Sequence, residues 1–279
     1  MQFETYTQTT ETIRQRIEAA KLAIATHPDV KSTWPLIFSC LDLTTLEGTD
    51  NTKRIDDLCA KALDYSHTSP GTAVAAVCLY IPFISQAKSL LKGSGIRVAT
   101  VACAFPSGQL PLALKLEEVK YAVEAGADEI DMVISRGKMI EGDDEAVFEE
   151  IKAVKAACGD AHLKVILETG ELASVSLIRK ASELACLAGA DFLKTSTGKV
   201  NPAASPEAAV VMLDTIAEFY GKTGKRIGFK PAGGIAEPID ALLYAMLVKE
   251  IAGDEWFNNK LFRIGASRLA EKLKHCIAG

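Results

Sequence analysis

The 279-residue chain has no run of about 20 apolar residues and no basic leader followed by an apolar stretch. The sequence therefore predicts neither a membrane helix nor a secretory signal peptide. It has no CxxC pair: Cys40, Cys59, Cys78, Cys103, Cys158, Cys186 and Cys276 are odd in number and mostly sit in apolar stretches such as Ala76-Val77-Cys78-Leu79. Buried, reduced thiols in a cytoplasmic protein are the expectation. No basic run is present either. The net charge is −5, from 31 basic and 36 acidic residues, which speaks against a nucleic-acid partner. The histidines, His27, His67, His162 and His275, form no HExxH or other close ligand pair, so no metal is expected. Gly221-Lys222-Thr223 lacks the upstream glycine of a P-loop because position 216 is Ile, and no GxGxxG follows a strand. A nucleotide cofactor is not expected.

What is present is ordinary for a globular chain, with 48% hydrophobic and 24% charged residues. Residues 8–26 carry helical periodicity, with Ile13, Ile17, Ala20 and Ile24 on one side, before Pro28 and Pro35 break the chain. Short apolar runs follow at 36–43, 73–80, 97–103, 129–134, 163–168, 192–196, 226–230 and 261–265, apolar on both faces as buried parallel strands are. Between them lie helical patterns at 52–65, 84–92, 114–125, 144–158, 174–188, 206–220 and 237–249, with a last one at 267–277. This alternation predicts a (β/α)₈ barrel, with a doubly wound open sheet as the alternative. No Pro-, Gly- or Ser-rich linker divides the chain, so residues 1–279 are expected to form one domain with a helical extension over 1–35.

An internal repeat favours the barrel. Ala125-Gly126-Ala127-Asp128 recurs 63 residues later as Ala188-Gly189-Ala190-Asp191, a gap that fits two βα units of about 30 residues. Three residues past each Asp stand Asp131 and Lys194, at equivalent positions of the fourth and sixth strands. Alternate barrel strands fill the same interior layer, so the two should meet in the lumen. Burying them is costly unless they are paired or chemically used.

Lys194 lies inside an apolar strand, and Lys230 closes the next one in Gly228-Phe229-Lys230-Pro231-Ala232-Gly233-Gly234. Taken alone, Lys194 reads equally well as a strand-end lysine whose ammonium reaches water. Two ammonium groups on neighbouring strands repel, which lowers the pKa of at least one and leaves a neutral amine able to attack a carbonyl. Asp131 is placed to shuttle protons. A lumen salt-bridge network explains the charges equally, but not the glycines after strands seven and eight, Gly233-Gly234 and Gly265-Ala266-Ser267. Plain turns account for any one of these glycines; together they suggest a phosphate cradle.

The stretches Leu41-Asp42-Leu43-Thr44-Thr45-Leu46, Leu163-Lys164-Val165-Ile166-Leu167-Glu168-Thr169-Gly170-Glu171-Leu172, Lys194-Thr195-Ser196-Thr197-Gly198-Lys199-Val200, Gly228 to Gly234 and Arg263-Ile264-Gly265-Ala266-Ser267 resemble deoxyribose-phosphate aldolases over roughly residues 36–275. The resemblance implies the (β/α)₈ fold and metal-independent, cofactor-free cleavage of 2-deoxy-D-ribose 5-phosphate to glyceraldehyde 3-phosphate and acetaldehyde. It implies Lys194 as the imine-forming lysine, Lys230 as the cation that depresses its pKa, and Asp131 as the proton relay. Asp42, Thr44 and Cys78 would line the sugar pocket, and Lys199 would approach the substrate's hydroxyl or phosphate end. Thr197, Gly198, Gly233, Gly234, Gly265 and Ser267 would frame the phosphate. A homo-oligomer, first of all a dimer, is the implied assembly. Four features depart from the family pattern: Val101-Ala102-Cys103-Ala104 before Phe105-Pro106, Arg268 where a second serine is common, a His275-Cys276-Ile277-Ala278-Gly279 end without tyrosine, and an N-terminus longer than in compact members.

Overall fold

Each strand predicted from an apolar run is present. The computed structural model describes residues 1–26, 30–68 and 73–278, with residues 66–68 described by backbone alone. The strands are β1 (Leu41–Thr44), β2 (Ala76–Leu79), β3 (Arg97–Ala102), β4 (Glu129–Val133), β5 (His162–Ile166), β6 (Phe192–Lys194), β7 (Gly228–Lys230) and β8 (Ile264–Ala266). All pair in parallel, in the order β7-β6-β5-β4-β3-β2-β1-β8. Parallel bridges from Phe229 to Phe262 and from Ala232 to Gly265 join the two ends, closing the sheet into a barrel rather than the open alternative.

The helices are α1 (Thr10–Ala25), α2 (Trp34–Ser39), α3 (Thr52–Thr68), α4 (Ile84–Leu90), α5 (Leu112–Glu124), α6 (Arg136–Glu141), α7 (Asp144–Ala157), α8 (Thr169–Leu172), α9 (Val175–Leu187), α10 (Pro206–Thr223), α11 (Pro238–Ile251) and α12 (Leu269–Ala278). Among the described residues none is long and apolar enough to cross a membrane.

The predicted strand at 36–43 is half wrong. Its first part is α2, opened by Pro35 in the first turn, with Trp34, Ile37 and Phe38 buried. Those positions are i, i+3 and i+4, a helical stripe too short to be told from a strand within an apolar run. Proline suits the start of a helix because its missing N–H has no partner there. The short helices α6 and α8 also escaped the sequence reading, since neither is long enough to show a period.

The N-terminal helix forms as expected and buries Ile13, Ile17, Ala20 and Ile24 against α10 and α11 on the outer wall. Arg16 secures it through two 2.8 Å bonds to Asp214. The break expected at Pro28, like His27, lies outside the described residues.

The repeat does structural work. Asp128 accepts from the Val98 N–H at 2.8 Å and from Lys88 at 2.8 Å; Asp191 accepts from the Leu163 N–H at 2.7 Å and from Lys155 at 2.5 Å. Each Asp thus ties its own strand to the start of a preceding strand and to a lysine of a preceding helix. This holds β4 and β6 at matching heights, and Asp131 and Lys194 with them.

Candidate active site

Because side chains alternate along a strand, every second residue points into the barrel. On β2 and β3 these are small and apolar: Ala76, Cys78, Ala99 and Val101 form a cluster with Leu46, separate from the main core, with Tyr80 and Phe105 packed on it. Elsewhere, beside Phe192 under the Arg263 guanidinium, the lumen carries a charged set. Asp42, Glu129, Asp131, Lys164, Lys194, Lys230 and Arg263 are all at most 3% exposed.

Asp131 is the hub. Its Oδ2 accepts from Lys194 Nζ at 2.7 Å and from Lys230 Nζ at 2.7 Å, and its Oδ1 from Lys164 Nζ at 2.8 Å. Lys230 also bonds Asp42 Oδ2 at 2.5 Å. Lys164 reaches Glu129 at 2.5 Å and Asp42 at 3.8 Å. Arg263 bridges Asp42 at 2.7 Å and Glu129 at 2.8 Å. Four cations therefore face three carboxylates. Buried ions are tolerated only when paired and hydrogen-bonded in this way.

The three lysines differ in consequence. Burial lowers the pKa of each. For Lys230 the carboxylates Asp131 and Asp42 outweigh burial and raise it; for Lys164 Asp131 and Glu129 do the same. Lys194 has Asp131 alone, and burial joined by repulsion from Lys230 lowers its pKa. The repulsion inferred from sequence thus acts on Lys194, but burial is the larger cause. Burial alone would push Asp131 up, yet Lys164, Lys194 and Lys230 hold it well below the usual carboxylate range. The same contest, won by Lys230 and Arg263, keeps Asp42 low.

Above this network opens a cavity of about 340 Å³ at the C-terminal end of the strands. Of the residues singled out from sequence, Thr44, Lys194, Thr197, Gly198, Lys199, Gly233, Gly234, Gly265 and Ser267 line it. Asp42, Cys78, Asp131 and Lys230 do not; each is 0% exposed and lies beneath the cavity floor. Burial pushes the Cys78 thiol up, with Asp131 adding to the shift. Lys199 pairs with Glu47 at 3.1 Å across the mouth, and Arg268 stands exposed on the rim.

The glycines keep this mouth narrow. Gly233 sits at φ 83° with its Cα against Gly198, and a Cβ there would lie 2.8 Å from the Gly198 Cα. Only glycine allows both that backbone conformation and that approach. A larger cavity, about 1000 Å³, lies on the outer wall beneath Tyr6 and between α9 and α10, away from the lumen lysines.

Glu129, Lys164, Arg263 and Glu168 belong to the site's structure and had no role in the sequence reading. Glu129 stands two before Asp131 and shares its face; Lys164 is a lysine in an apolar strand, as Lys194 is. Period-two counting finds both. The same counting puts Arg263 two before Gly265 and Glu168 four after Lys164, but their partners are remote in sequence, so nothing local shows what they hold. Glu168 is 0% exposed and left-handed, at φ 56° and ψ 61°. That conformation costs a non-glycine residue on the order of 1–3 kcal/mol. Burial raises its pKa, against Thr197 and Arg136, which favour the charged form.

The family model for DeoC/LacD aldolases matches residues 37–269. The chain is 43% identical to human deoxyribose-phosphate aldolase over 277 residues, 95% of this chain and 87% of the human one. It is 44% identical to the bovine protein of that name, over 89% of this chain and 83% of the bovine one. It also superposes on the tetrameric deoxyribose phosphate aldolase from Aeropyrum pernix with a TM-score of 0.67 at 26% identity, covering 96% of this chain and 99% of that one. With its barrel, its lumen lysines and these relatives, the chain belongs to the DeoC/LacD family of aldolases.

Proposed function

We propose that the protein cleaves 2-deoxy-D-ribose 5-phosphate reversibly to D-glyceraldehyde 3-phosphate and acetaldehyde through an imine on Lys194. The observation that carries this reading is the contrast among the three lumen lysines. Lys194 is the one that lines the cavity, has a single carboxylate partner and has a lowered pKa. A neutral amine at the mouth is the nucleophile that imine chemistry needs.

Neutral Lys194 Nζ attacks the C1 aldehyde of the open-chain sugar, and loss of water gives a protonated imine. The C3 hydroxyl gives up its proton as the C2–C3 bond breaks, and the bonding electrons pass into the imine. Glyceraldehyde 3-phosphate leaves, and an enamine of two carbons remains on the lysine. Protonation of its terminal carbon and hydrolysis release acetaldehyde and restore the amine. Asp131 and Lys230, which share a hydrogen bond of 2.7 Å, are the proposed relay for these protons together with water. Each positioned acid or base is worth on the order of 10²–10⁴ in rate.

The phosphate is proposed to lie between the Thr197-Gly198-Lys199 turn and the Gly233-Gly234 and Gly265–Ser267 loops, with Thr44 on the sugar side. Asp42 and Cys78 support this pocket from beneath. The reading also places the protein, as one barrel domain acting as a homo-oligomer, in deoxyribose catabolism in the cytoplasm. The free cysteines, buried except for Cys276, suit a reducing compartment.

The test is borohydride trapping in the presence of deoxyribose 5-phosphate, read by intact mass and peptide mapping. A two-carbon adduct on Lys194 is expected. Folded, ligand-binding protein with no adduct, or with the adduct on another lysine, refutes the assignment and points to a sugar-phosphate sensor or a different nucleophile.

A further inference from the structure

We infer that Glu168 is a positioning residue that holds the Thr197-Gly198-Lys199 turn in the shape that receives the substrate's phosphate. This deepens the aldolase reading above and rests on it. The observations are independent of the lumen lysines. Immediately after β5 the chain enters the left-handed region at Glu168, a conformation that a non-glycine residue keeps only when its surroundings over-determine it. Its surroundings do so through the side chain. The fully buried carboxylate accepts the Thr197 N–H at 3.2 Å and the Thr197 hydroxyl at 2.5 Å. It also pairs with Arg136 at 3.1 Å.

The Thr197 hydroxyl in turn accepts the Lys199 N–H at 3.1 Å. Its one hydrogen is given to Glu168 and a lone pair to Lys199, so this hydroxyl is a staple within the turn and has no proton left to offer an anion. What faces the cavity is the turn it shapes, with Gly198 and Lys199. Arg136 extends the same assembly. It bonds the Ser107 carbonyl at 2.8 Å and Glu171 at 2.9 Å, so the segments after β4, β5 and β6 meet at one buried carboxylate and the segment after β3 joins them through Arg136. The fit is close-packed: a Cβ on Gly170 would fall 1.9 Å from the Pro202 carbonyl oxygen. Glu168 makes no bond to Lys194, Lys230 or Asp131, so its effect should fall on phosphate binding and not on the imine.

The measurement compares Glu168→Gln with the parent on deoxyribose 5-phosphate and on unphosphorylated deoxyribose, with Tm in parallel. Glutamine keeps the volume but sets an amide donor against the Thr197 and Arg136 donors. For the phosphate ester we expect KM to rise roughly 10-fold with kcat within about 3-fold. For deoxyribose kcat/KM should stay at the parent value, and Glu168→Asp should recover part of the KM loss. Thr197→Val, which removes the stapled hydroxyl, should reproduce the KM change, and the double variant should be no worse than either single one because both break the same contact. Equal losses on both substrates, an unchanged KM for the ester, or additive effects in the double variant each overturn the proposal; should Glu168→Gln not fold, Glu168→Asp is held to the first two criteria. Trapping of Lys194 in the parent, run alongside, separates a failure of this proposal from a failure of the aldolase reading.

Discussion

Replacing Lys230 with methionine removes a buried ammonium bonded to Asp42 at 2.5 Å and to Asp131 at 2.7 Å. Lys194 is bonded to the same Asp131 oxygen at 2.7 Å, so the two ammonium groups lie within about 5 Å of each other. At an effective dielectric constant of ~20, unit charges ~5 Å apart repel by about 3 kcal/mol. Without Lys230 the Lys194 pKa should rise, although burial continues to lower it. The acid limb of the pH profile of kcat/KM follows the neutral fraction of Lys194. It should move to higher pH, with a loss of up to roughly 100-fold near neutral pH that is largely recovered as pH rises. Any loss of proton relay through Lys230 would add a pH-independent factor and leave the limb's position untouched. Stability should also fall, since removing one partner of a buried pair costs about 3–5 kcal/mol, so Tm is recorded for the same samples. An acid limb at the parent position in folded protein would refute the claim that Lys230 acts through the pKa of Lys194.

Other consequences follow from the same network and from the outer wall. Lys164→Met leaves Asp131 and Glu129 each short of one cation, and should lower stability by about 3–5 kcal/mol in denaturant melts, whereas Lys194→Met, which removes an ammonium that burial and Lys230 disfavour, should melt no lower than the parent while forming no imine. Asp42, Glu129 and Asp131 are held below their ordinary pKa values by neighbouring cations. Their contribution to stability is thus complete above the unfolded-state values near ~4 and lost as pH falls through the lower folded values. Circular dichroism melts should show Tm dropping steeply below about pH 4, and Asp131→Asn should blunt that drop. Ile13→Ala on α1, a residue 1% exposed, should cost about 2–5 kcal/mol and leave kcat and KM unchanged, because α1 packs outside the barrel; altered kinetics would show that this helix communicates with the site.

Much of this molecule is legible in the order of its residues, because the signals are local. Apolar runs alternating with helical stripes mark the strands and the longer helices. The Ala-Gly-Ala-Asp repeat places Asp131 and Lys194 at equal heights before any contact is known, since a side chain's face and level within a parallel barrel depend only on its offset from the strand start. The cavity's glycine loops follow from motif and position. Short elements are not legible in this way: Trp34–Ser39 reads as a strand because three buried positions in six residues satisfy neither period uniquely.

What only the tertiary structure decided is the electrostatics. Three lysines stand on adjacent strands, β5, β6 and β7; the family resemblance singles out Lys194, but spacing and composition give no physical reason to rank them. Their pKa values diverge because Lys164 and Lys230 each reach more than one carboxylate while Lys194 reaches Asp131 alone. Those carboxylates come from β1 and β4, far away along the chain. The same holds for Glu168, whose burial and left-handed backbone make sense only once Thr197 and Arg136 are brought to it. Alternation along a strand is set by covalent geometry and can be read residue by residue. The free energy of a buried charge depends on every charge within a few ångströms, and only closure of the barrel brings those together.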